Sequence, residues 1–591
     1  MFFRISRRRA LGLMAASALP LPSLAAATDA DKDFTALGQD WLNALARFSP
    51  VSATLLGDHR FDHEIDDLTT NGRAAAAAHT HALLVKLESL AKDHWSAATQ
   101  TDAKLLTARM KYDLWTEDGL QSWAWDPLVY NELAGDAVYG LMARDFAPLA
   151  DRLLSATARM EKLPRLLAQA RENLILERVP LVHAQTLAKQ NKGLTSIVKD
   201  LVLSHAGILA AADTSRLEAA AAGWIAAVGE HQTWIDTVLV PGAKGDFRLG
   251  MRHYDAKFAF ALDTDLTRQQ VRERAEAALK TTRATMYDLS RQILKGRPGA
   301  PAAPETPTAD QQQAAIRAAL DIAAADAPAR DQVVEVAKSG LAKATAFVRA
   351  HDLITLPDAP VKVILMPEFQ RGVSTAYCNS PGPLDKGLDT FYAVSPIPDD
   401  WTAERTASFL REYNVRGIAD IATHEAMPGH YVQLAHSNAY PSVLRAVLSN
   451  GPFIEGWAVY AESMMAQEGF WDGDPLYKLV VLKTKLRSIS NAILDQAIHV
   501  DLMSRAEAMH LMMHTTFQEE GEAAGKWIRA SVSSAQLPFY FVGSEEHWDI
   551  RREAEKRWGA AFTLKRYHDT VLSFGSPPAR YVRQAMFGEA A

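Results

Sequence analysis

Two short stretches of this chain hold the residue types of a catalytic zinc centre. One is His424-Glu425-Ala426-Met427-Pro428-Gly429-His430; the other, thirty residues after Glu425, is Glu455-Gly456-Trp457-Ala458-Val459-Tyr460-Ala461-Glu462. Zinc hydrolases hold their ion with two imidazoles and a carboxylate and keep one position open for water. A further glutamate beside the first histidine takes the proton as that water attacks a carbonyl. His424, His430 and Glu455 are the expected ligands of one Zn2+, and Glu425 is the expected general base.

The spacing departs from the usual H-E-x-x-H. Histidines four apart are separated by roughly 40° around a helix of 3.6 residues per turn; six apart, they would diverge by about 120° and about 9 Å of rise. An unbroken helix could not bring such a pair to one ion. Pro428 lacks an N–H, and its ring conflicts with the carbonyl of His424 four residues back. Gly429 permits almost any backbone angle. The helix is therefore expected to loosen or stop at Met427 and to carry His430 back toward His424.

Other polar residues are candidates for supporting roles. Asp420, one turn before His424, either orients that ring or simply faces solvent; Glu462, two turns after Glu455, either orients a ligand or pairs with a basic residue. His436 is a surface or supporting histidine rather than a ligand. Asp495 and His499 lie four apart on one helix face, close enough for a direct hydrogen bond; they either border the site or tie the structure. Arg487, two turns earlier, is a candidate for a substrate carboxylate. Tyr540 follows Pro538 in an aromatic, loop-like stretch and is a candidate oxyanion donor, with core packing as the alternative.

Most of the chain around these motifs reads helical. Residues 32–48, 72–93, 101–119, 148–178, 183–212 and 214–240 are rich in good helix formers, with apolar residues three and four apart. The pattern returns after the motif, at 454–468, 476–499, 505–518 and 522–533, with a further helix opening around Gly543–Glu546. The texture changes only at 361–392. There 361–365, 372–378 and 390–394 read as short strands, a small sheet just before the metal motif, whose edge could pair with an extended peptide. The Pro- and Gly-rich stretch 296–307 is a surface loop, or a linker between lobes 28–295 and 311–591.

The ends and the composition narrow the function. Ser6-Arg7-Arg8-Arg9, an apolar stretch to Leu24 and Ala25-Ala26-Ala27 form a twin-arginine signal over residues 1–27, so a periplasmic or secreted product is expected. The apolar run is too short and proline-broken for stable membrane insertion. The signal carries four arginines and no acidic residue, so its removal moves the formal charge from -7 to -11. That balance argues against nucleic acid as a partner. Cys378 is the chain's single cysteine, so no intrachain disulfide is possible and stability must come from the core.

Both motifs resemble those of the bacterial family filed as "domain of unknown function 885", with His-Glu-x-x-Pro-Gly-His followed by Glu-Gly-Trp-Ala-x-Tyr-x-Glu. Asp495 and His499 match the family's Asp-x-x-x-His pair, and Gln536, Pro538 and Tyr540 approximate a later stretch. Asn491, where the family often has Arg, and the reduced tyrosine-rich segment at Tyr377 and Pro381 depart from it. The resemblance implies a multi-helical, thermolysin-related (gluzincin-like) peptidase fold with two helical lobes around a channel. The expectation is a secreted zinc metallopeptidase acting on short peptides. The rivals are a metal-dependent amidase on another small amide, and a non-hydrolytic binding protein for a metal or small ligand.

Overall fold

A computed structural model describes residues 29–366, 375–399 and 401–588. Residues 1–27, read as a signal, lie outside these, as do 367–374, which include the start of the strand expected at 372–378. The chain is mostly helical, with a single three-stranded sheet among the described residues. No helix among them is long and apolar enough to cross a membrane.

The strands fall close to where β-branched and aromatic residues cluster: β1 Lys362–Leu365, β2 Ala376–Asn379 and β3 Phe391–Val394. The central β3 pairs in parallel with β1 and antiparallel with β2, Cys378 facing Tyr392. This leaves β2 at an edge, beside the helix that carries His424.

Six helices frame the site. Val415–Glu425 starts at Asn414, whose side chain accepts from the Arg416 and Gly417 N–H groups. His430–Asn438 follows it. Gly451–Gln467 begins at Asn450, which accepts from the Phe453 N–H, with Pro452 in the first turn. Pro475–His499 is long and buried along most of its second half. Glu520–Val532 and Pro538–Trp558 complete the set. The last opens five residues earlier than its sequence suggests, because Pro538 suits a first helical turn. Tyr540 is therefore in a helix, not in a loop.

The stretch 296–307 joins helices Arg268–Leu294 and Ala309–Ala324. Met286 before it, Ile316 after it, and Leu486 and Phe541 far downstream share one core cluster. The Tyr287 hydroxyl donates to the Pro304 carbonyl, pinning the loop to its own helix.

Two glycines set the closest helix approach. A Cβ on Gly456 would lie 2.2 Å from the Gly543 carbonyl carbon, and one on Gly543 would lie 1.8 Å from the Pro452 carbonyl oxygen. Only residues without a side chain let these backbones meet. The contact holds the helix of Glu455 against the helix of Tyr540.

Candidate metal centre

The helix that carries His424 ends at Glu425, and Ala426 leaves helical geometry. Met427 N–H returns to the Ala422 carbonyl and Gly429 N–H to the Thr423 carbonyl. The Met427–Pro428 peptide is cis. Gly429 lies so close to the preceding turn that a Cβ there would sit 1.8 Å from the His424 carbonyl oxygen. The buried Trp457 indole donates to the Pro428 carbonyl at 2.9 Å, fastening the turn to the Glu455 helix. A new helix then starts at His430.

This reversal brings the two rings together, their centroids 4.8 Å apart and nearly perpendicular. His424 Nε2 lies 3.7 Å, and His430 Nε2 3.4 Å, from the same Glu455 carboxylate oxygen. One donor atom from each residue falls within 4.8 Å of the others. Tetrahedral donors at 2.0–2.1 Å from zinc sit roughly 3.4 Å apart, so the donor types and spacing fit one such ion.

Glu462 accepts from His424 Nδ1 at 2.5 Å. A carboxylate there fixes the ring tautomer that presents Nε2 inward. Asp420, the other candidate for that task, makes no bond to His424. It is buried beside Glu462, and burial first, then the Glu462 charge, raises its carboxyl well above the usual range. Burial opposes a charged His424, but Glu455 and Glu462 overcome it and raise the imidazole well above its ordinary value. Burial likewise opposes a charged Glu455, yet both imidazoles hold its carboxyl well below the usual range. The two carboxylates thus favour positive charge at His424, the place a cation would take.

Glu425 projects beside the ligands toward the sheet. Its Oε2 accepts the Cys378 N–H of β2 at 2.8 Å. Burial raises its carboxyl, with His424 and His430 opposing. A raised carboxyl in reach of an edge strand suits a proton carrier. The Tyr540 ring lies 6.5 Å from the His424 ring, and its hydroxyl accepts from Arg529 at 3.0 Å.

Other candidates lie outside this group. His436 is buried and bonded to the Thr355 carbonyl. Asp495 and His499 do not bond each other: Asp495 accepts from the Tyr254 hydroxyl and the Ala535 N–H, and His499 Nε2 faces the Ala530 and Ser533 carbonyls. They tie down the turn that leads into the Tyr540 helix. Arg487 pairs with Glu522 at 3.1 Å and donates to the Tyr413 hydroxyl. Arg529, Lys526, Glu522 and the Cys378 N–H carry no motif and escape a reading of the sequence. The i, i+4 spacing of Glu522 and Lys526 was the one available signal, and it does not say which way that face turns.

A multi-helical fold with a histidine–glutamate centre beside a small sheet defines the class. The chain belongs to the family described as "Bacterial protein of unknown function (DUF885)", whose model matches residues 50–586. It is similar to a "putative lipoprotein of unknown function" from Shewanella oneidensis, at 33% identity and TM-score 0.78, over 94% of this chain and 99% of that one. A "putative lipoprotein" from Colwellia psychrerythraea shares the fold, at 16% identity and TM-score 0.75, over 94% and 98%. No curated protein matches this chain.

Proposed function

We propose that this protein is an exported zinc-dependent hydrolase of amide bonds, acting on short peptides through a gluzincin-like centre. The observation that carries this reading is the convergence of His424, His430 and Glu455, with Glu425 next to His424 and the Tyr540 ring 6.5 Å from the His424 ring. The three ligands would hold the ion, and Glu462 would keep His424 turned to it. Zinc, when bound, would polarise the scissile carbonyl and acidify the attacking water. Glu425 would take a proton from that water through Oε1, since Oε2 is engaged by Cys378, and pass it to the leaving nitrogen as the C–N bond breaks. The Tyr540 hydroxyl, held by Arg529, would donate to the oxygen on which negative charge grows.

Export rests on the twin-arginine pattern and on the lipoprotein description of both solved relatives. The test is metal analysis of purified protein together with a peptide-library digest, with and without chelator. Zinc near one equivalent and chelator-sensitive cleavage are expected. Turnover that survives complete metal removal would sink the zinc reading; tight peptide binding without turnover would favour a binding protein.

A further inference from the structure

A second charged cluster is tied, through Tyr413, to Thr375, the residue just before the same edge strand. Arg487, Lys526 and Arg529 gather around one carboxylate, Glu522, which is 3.1 Å from Arg487 and 3.7 Å from Lys526. Glu412, close by, is already paired with Lys483 at 2.8 Å. Among the described residues Arg529 has no carboxylate partner; its bonds go to Tyr540 and Gln536. Burial opposes ionisation of Glu522, yet its cationic neighbours bring it down to about 2. Crowding three cations onto one partly buried anion is costly unless a further anion joins them.

The cluster has a fixed place relative to the centre. Tyr413, bonded to Glu522 and Arg487, also bonds Thr375, the residue just before β2. Cys378, which bonds Glu425, is three residues further on, or about 10 Å along a strand. Arg529 also reaches the centre directly, through the Tyr540 hydroxyl. A peptide added antiparallel to β2 runs with its C-terminus toward Thr375. A parallel peptide would carry its ammonium into the cations. Arg144, at the far end of β2, is occupied by the Asn379 oxygens.

We propose that Arg529, backed by Lys526 and Arg487, receives the free C-terminal carboxylate of the substrate, so that cleavage falls one or two residues from the end of the peptide. This rests on the hydrolase reading above but is tested separately from it. N-acetylated peptides differing only in a C-terminal carboxylate or carboxamide are compared on zinc-loaded protein. The acid is expected to have a kcat/KM about 100-fold higher. Arg529→Gln should bring the ratio close to one even if the altered Tyr540 contact slows both substrates, and Arg529→Lys should restore part of it. Equal turnover of acid and amide overturns the proposal, as does a ratio unmoved by Arg529→Gln in protein with a native melting curve.

A second pair, amide-capped with Asp or Asn beyond the scissile bond, separates a side-chain carboxylate from the terminal one. An Asp preference as large as the acid preference overturns the terminal assignment. Calorimetry on the Glu425→Gln protein gives a readout independent of turnover. If no peptide is cleaved, the hydrolase reading fails; the carboxylate site then stands if the acid binds at least about 30-fold tighter than the amide, and falls if the two bind alike.

Discussion

Replacing Gly456 by alanine tests whether the Gly456–Gly543 crossing builds the centre. The new Cβ would lie 2.2 Å from the Gly543 carbonyl carbon, 2.4 Å from its Cα and 2.6 Å from the Ser544 nitrogen. All three are backbone atoms of a buried helix, so no side chain can swing aside. Ordinary contact begins near 3.4 Å, so the helices must part by about 1.2 Å. Overpacking of this kind costs about 1–3 kcal/mol, and backbone on both sides argues for the upper end. A chain of this size should then melt roughly 2–3 °C lower. The displacement separates Glu455, the neighbour of Gly456, from Tyr540, three residues before Gly543. A misplacement of about 1 Å in such a site can cost about 100-fold in rate. The assays are thermal unfolding, zinc affinity and peptide turnover, with Gly223→Ala as control. Gly223 is in a helix interior with nothing within 4 Å of its would-be Cβ, so alanine there should stabilise by about 1 kcal/mol. A Gly456→Ala protein with native melting, zinc affinity and turnover would refute the argument.

Three further outcomes follow from the same geometry. Glu462→Gln removes the carboxylate that orients His424 and should weaken zinc binding about 10- to 100-fold, read by competition with a chromophoric chelator; unchanged affinity would deny Glu462 that role. Glu425→Gln should keep zinc at the native stoichiometry while turnover falls by about 10²- to 10⁴-fold; lost zinc would mean that Glu425 is a ligand. Burial, reinforced by Arg487 and Arg529, brings the Lys526 ammonium down to about 7. Above that pH, carboxylate binding must take up a proton, so KM for a free-acid peptide should rise by up to about tenfold per unit. A pH-independent KM across 7 to 9 would contradict this.

Much of the centre was legible because its chemistry lies in short, rigid segments. Pro428 and Gly429 announced the break that lets His424 and His430 meet, and the break falls at Ala426, one residue before the expected Met427. The strands were marked by β-branched and aromatic clusters. Asp495 and His499 misled because four-residue spacing puts two side chains on one face without saying whether each has a better partner elsewhere. Asp420 and Glu462 were equal candidates for the same task; the crossing of two helices gave it to Glu462. Tyr540 read as loop because the aromatic run hid the proline that starts its helix.

What the sequence determined by itself is local: helix and strand periods, the proline–glycine break, and a set of side chains competent to bind a cation and move a proton. These follow from φ/ψ limits and side-chain chemistry that hold in any context. What only the tertiary structure decided is which distant groups meet them: Glu462 on His424, the β2 N–H on Glu425, and Arg529 on Tyr540, together with the cations at the end of β2. Those contacts depend on helix crossings, set by glycines and buried side chains far apart in the chain, and no spacing in a linear sequence encodes the angle at which two helices pass.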